Sequence, residues 1–77
     1  MMTREEFMDN FIGAVVSDMK AYGIRMTQIA EKSGMSIACV SRYLSKKRVP
    51  SVYNAYRLSE ALKELQQEMR ERVIRRA

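Results

Sequence analysis

Apolar positions along the chain recur at helical spacing almost from the first residue. Phe7, Met8, Phe11, Ile12, Val15, Met19 and Tyr22 fall at steps that place them on one face of a helix. Thr3 followed three residues later by Glu6 is the reciprocal capping arrangement of a helix start. Gly23 supplies the left-handed residue that ends the helix. Gly13, inside it, costs on the order of 1 kcal/mol against alanine and is expected to admit a close-packed neighbour. A short second helix is predicted over Gln28–Ser33, with Thr27 as its cap, the apolar pair Ile29 and Ala30 inside it, and Gly34 as its stop. Ser36 caps a third helix that runs to about Ser45 and turns Val40, Tyr43 and Leu44 toward the core. Lys46, Lys47, Arg48, Val49 and Pro50 form a basic loop. The residue before a proline avoids helical angles, so Pro50-Ser51 marks the start of a fourth helix. From there Val52, Ala55, Tyr56, Leu58, Ala61, Leu62, Leu65, Met69 and Val73 keep helical spacing with no breaker. This predicts one long helix or two with a bend. No strand alternation, repeat or low-complexity tract interrupts the pattern.

The middle of this pattern has a mechanical meaning. Two short helices joined by a glycine turn make a helix-turn-helix unit. Ala30 is small where the second helix of the unit crosses the first. Gly34 relieves the tight turn, where a side chain would clash. Val40 is the apolar pin between the two helices, and Ile29, Met35 and Tyr43 complete the contact.

Composition narrows the chemistry. A chain of 77 residues is one domain, 1–77, and a chain this short buries only about 60% of its unfolded surface. Its single cysteine excludes an internal disulfide. Cys39 has no base or acid partner to activate it and reads as a small packed residue. The absence of histidine excludes histidine-based catalysis and zinc sites that need it. Carboxylates spread along solvated helix faces assemble no acid–base pair, so no enzyme, metal or cofactor is expected. The seven methionines read as core gap-fillers. Four tyrosines outside a sheet make no RNA-stacking platform.

Charge is more informative. The net charge is +5, but residues 1–25 carry −1, residues 26–50 carry +4 and residues 51–77 carry +2. In the middle segment Lys32, Arg42, Lys46, Lys47 and Arg48 face Glu31 alone. A basic segment of this kind fits a polyanionic partner, with a plain solvated face as the alternative. Arg70, Arg72, Arg75 and Arg76 read as a solvated helix end. The longest uninterrupted apolar run, Ile12 to Val16, is far short of the ~18 residues a membrane-spanning helix needs. With no targeting pattern, a cytoplasmic location and no membrane partner are expected.

The run Gln28-Ile29-Ala30-Glu31-Lys32-Ser33-Gly34-Met35-Ser36, followed by Val40-Ser41-Arg42-Tyr43-Leu44-Ser45, resembles the Cro and lambda-repressor helix-turn-helix family. Lys47-Arg48-Val49-Pro50-Ser51-Val52 and the leucine-spaced fourth helix continue the likeness, which covers roughly Ile24 to Leu65. Lactose-repressor-type headpieces share part of the stretch but lack a long helix before it. The resemblance implies an all-α bundle of four or five helices with the helix-turn-helix at about 27–45. It also implies that the helix from Ser36 to Ser45 enters the DNA major groove. Ser36, Ile37, Ala38, Ser41, Arg42 and Ser45 would then face the bases. Arg42 would reach guanine, and Ile37 and Ala38 would meet thymine methyl groups. Thr27, Gln28, Lys46, Lys47 and Arg48 would hold phosphates, the first two with the help of a helix N-terminus. The sequence departs from the family at two places. Lys46 stands where glycine is frequent, so either Lys46 is left-handed or the turn differs. Ile37 and Ala38 stand where longer polar side chains are common.

The function implied is sequence-specific binding of double-stranded DNA by a small transcriptional regulator. A repressor of a phage or mobile-element operator is expected, with no second domain and no small-molecule ligand. The alternatives are a protein-interaction module of antitoxin or inhibitor type on the same fold, and a nonspecific DNA binder. Leu65, Met69 and Val73 extend the apolar stripe past what a four-helix core needs. They are expected to make the segment at about 66–77 a dimerisation extension, giving a homodimer on a palindromic operator. A fifth helix folding back over Phe7 and Phe11 is the counter-reading.

Overall fold

The computed structural model describes residues 2–76, which form four helices and, among the described residues, no strand. They are α1 (Arg4–Tyr22), α2 (Met26–Ser33), α3 (Ile37–Leu44) and α4 (Val52–Arg76). The Thr3 hydroxyl accepts the Glu6 amide at 3.1 Å and opens α1. Gly23, at φ 66°, closes it, and the Ile24 amide reaches back to the Met19 carbonyl at 2.8 Å. Helix α2 begins two residues earlier than expected. Arg25 is its cap position, and Thr27 lies within its first turn rather than capping it. The carboxamide of Gln28 replaces the expected hydroxyl by accepting the Arg25 amide at 2.7 Å. Ser36 and Ser51 cap the next two helices, their hydroxyls accepting the amides of Cys39 and Asn54 at 3.1 Å each. Helix α4 is a single element of 25 residues, so among the described residues there are four helices and no fifth one folding back.

The helices form a ring in which each touches two others: α2 and α1 both pack on α3 and on α4. The core lies inside that ring. Ile29, Val40 and Leu58 are completely buried, with Ile12, Val15, Ala30, Tyr43, Leu62 and Leu65 around them. Burial of each such aliphatic side chain contributes about 1.5–3 kcal/mol, which is how a chain this small holds together without a staple.

Four expectations are corrected by this packing. Phe7 is 59% exposed, because the buried stripe of α1 begins at Met8. Gly13 faces solvent, where a Cβ would meet nothing within 4 Å, so no helix packs closely against it. Val52 and Tyr56 lie on the outer face of α4, away from the core. Leu65 is buried by its own chain at 4% exposure, because α4 still runs alongside the rest of the bundle there.

Candidate nucleic-acid interface

Helices α2 and α3 are joined by a turn of three residues, and several contacts hold their angle. Gly34 has φ 72°, and the Met35 amide donates to the Ala30 carbonyl at 3.1 Å. The buried Ser33 hydroxyl donates to the same carbonyl at 3.2 Å. From α4, the Arg57 guanidinium donates to the Ser33 carbonyl. A Cβ at position 34 would stand 2.8 Å from that guanidinium, which would have to shift to admit it, while the positive φ itself favours glycine. The Tyr53 ring lies 5.5 Å from the Arg57 head, the range of a cation–π contact. At the far end of α3, the Asn54 amide donates to the buried Tyr43 hydroxyl at 2.8 Å. Helix α4 therefore grips the two-helix unit at both ends.

The opposite face of α3 is open. Ser36, Ile37, Ala38, Arg42 and Ser45 are exposed, and Ser41 is half-buried. Ile37, at 52% exposure, belongs to this outer face and not to the core. Cys39 is half-buried and packs against the core. Beyond α3 the chain folds tightly over the helix end. Lys46 takes the left-handed conformation at φ 65°, which settles the departure at this position. The amides of Lys47 and Arg48 both donate to the Arg42 carbonyl, at 3.0 and 3.2 Å. The basic loop is thus held to the end of α3 by backbone bonds, with the three side chains outside. They are not equivalent, because the Lys46 ammonium pairs with Asp9 of α1 at 3.1 Å. Thr27 is exposed at the start of α2. Gln28 is half-buried with its carbonyl oxygen engaged at Arg25, which leaves its amide group to donate.

The C-terminal positions are divided. Met69 is half-buried against the core and Val73 is 67% exposed. With Leu65 buried, the free part of this stripe is smaller than its spacing indicates. The Arg70 guanidinium donates to the Tyr22 hydroxyl at 2.9 Å, and Arg72 is exposed. The side chains of Arg75 and Arg76 lie outside the described residues. Lys32 pairs with Glu68 and ties α2 to α4. The hydrogen bond to Glu68, then its charge, raise the lysine pKa above its ordinary value.

Sequence reading missed Arg57, Asn54, Asp9 and Glu68. Their contacts join residues far apart in the chain, 24 positions for Arg57 and Ser33 and 36 for Lys32 and Glu68. No local spacing carries that signal. Among the described residues no helix is long and apolar enough to cross a membrane.

A short helix, a left-handed glycine turn and a second helix with an open polar and basic face define a helix-turn-helix module of the kind that binds DNA. The profile of the helix-turn-helix family matches residues 18–65, more than half of the chain and the whole of the unit just described. The chain belongs to this family, of the Cro and lambda-repressor type, whose members are DNA-binding transcription regulators. No curated protein and no solved structure matches it.

Proposed function

We propose that the protein binds a specific duplex DNA sequence as a homodimer and represses transcription from a palindromic operator. One observation carries this reading. The open face of α3 and the basic loop form one continuous surface on a unit fixed at both ends by α4. In this reading Ser36, Ile37, Ala38, Ser41, Arg42 and Ser45 meet base edges in the major groove. Lys47 and Arg48 take phosphates, Lys46 does so in competition with Asp9, and Thr27 and Gln28 take a phosphate at the start of α2. The apolar pair Ile37 and Ala38 suits thymine methyl groups. Repression needs only occupancy, since a domain seated on a promoter excludes the polymerase. A phage or mobile-element operator is the expected target, on the likeness to the Cro and lambda-repressor type alone.

Selection of bound duplexes from a random pool tests the reading. A palindromic consensus with half-sites one helical turn apart is the expected result. Recovery of unselected sequence in proportion to the input pool would overturn it.

A further inference from the structure

Where the end of α1 and the start of α2 meet α3, the chain leaves a groove open to solvent. Its floor is apolar: Val16 and Met19 of α1, Ile24 of the connecting turn, Met26 of α2 and Leu44 of α3. Val16, Met26 and Leu44 pack against the core yet stay only half-buried. The groove measures about 540 Å³, within the range of sites that take up a ligand's apolar groups. Its charged lining residues are Lys20 and Arg25, both exposed, and no carboxylate lines it. Among the described residues neither cation forms an ion pair. Other clefts differ. The one beside Glu5, Glu6 and Arg48 carries both signs of charge. In the one beside Met69 and Val73, Arg70 already donates to Tyr22.

An apolar floor with cations alone around it selects its occupant. Charge of one sign attracts carboxylates and repels basic chains, which sets the sign of the partner. A DNA backbone would satisfy Lys20 and Arg25 but would leave the floor with nothing apolar to cover it. A peptide that carries an aliphatic or aromatic side chain between carboxylates satisfies both, in the manner of an amphipathic segment laid in a groove.

We propose that this groove docks an acidic, apolar-anchored peptide segment of a partner protein. Ser41 and Ser45 also line the groove, and both belong to the face assigned above to base edges. A partner seated there stands where the DNA strand would pass, so peptide and DNA exclude each other. Only this exclusion rests on the function proposed above. The docking itself is tested without DNA, so the two fail separately.

The experiment selects peptides from a random displayed library on the immobilised full chain, then titrates the recovered peptides by fluorescence anisotropy. Sequences with carboxylates flanking an apolar residue are expected. Lys20→Glu/Arg25→Glu should weaken their binding by roughly tenfold or more, while Lys47→Gln/Arg48→Gln leaves it nearly unchanged. Met26→Lys should also weaken it, although it adds a positive charge, because it spoils the apolar floor. Unchanged helical circular dichroism shows that each variant folds. Peptides without carboxylates, binding indifferent to Lys20 and Arg25, or binding strengthened by Met26→Lys would each overturn the proposal. So would failure to recover any peptide while Lys20→Glu/Arg25→Glu lowers affinity for duplex DNA, since the two cations would then be phosphate contacts. A random-sequence duplex added at low salt should displace the bound peptide. A peptide that binds as expected but stays bound beside the duplex would leave the docking intact and overturn the placement of Ser41 and Ser45 against DNA.

Discussion

Arg42 stands on the open face of α3, and its own carbonyl accepts the two amides that fasten the basic loop. Its backbone is thus fixed while its side chain stands in solvent, which suits the base contact proposed for it. Arg42→Ala is expected to cost about 1–3 kcal/mol at the preferred site and to leave binding to random duplex nearly intact. Competition titration with the two DNAs checks this, and equal losses would make Arg42 a phosphate contact. Lys46 was legible as a special position because glycine is frequent there in the family. What the sequence did not carry was Asp9, 37 residues earlier, which shares its charge.

Among elements, the loop after α3 and the pair between α2 and α4 make separate predictions. Lys47→Gln and Arg48→Gln should each flatten the plot of log K against log salt by roughly 0.9, one phosphate contact apiece. Lys46→Gln should flatten it less. The Asp9 carboxylate beside Lys46 offsets part of its charge, although an exposed pair of this kind adds only about 0–1 kcal/mol to stability. A common slope change for all three would show that Asp9 releases Lys46 on binding. The Lys32–Glu68 pair gives a pH dependence. Because the folded lysine has a raised pKa, the pair's contribution is complete below the ordinary lysine value and is lost as pH rises through the raised one. Urea midpoints of the wild type and Glu68→Gln should therefore differ below the ordinary lysine pKa and converge as pH rises above it. The helices themselves were legible because caps and periodicity are local: Thr3, Gly23, Gly34, Ser36 and Ser51 all act within a few residues. Phe7, Val52 and Tyr56 were misplaced because spacing gives the direction of a stripe but not where its covering neighbour ends.

For the molecule as a whole, Leu58 is decisive. It is completely buried on α4, the helix that packs on both α1 and α2. Leu58→Ala is expected to cost about 2–5 kcal/mol, a large share of the ~5–15 kcal/mol available to a domain. A drop of more than about 10 °C in the calorimetric midpoint should follow. A shift of only a few degrees would mean that the ring of helices collapses onto the space left behind. The ring was only partly legible. Leucine spacing announced a core-facing α4, but nothing in the sequence showed that α1 and α2 meet only through their neighbours.

The grip of α4 on both ends of the reading unit, by Arg57 at Ser33 and Asn54 at Tyr43, has a calorimetric consequence. A surface already rigid before contact gives up little conformational entropy on DNA and buries no new core. Its binding heat capacity should match the area of the interface alone, without the large negative excess of proteins that fold as they bind.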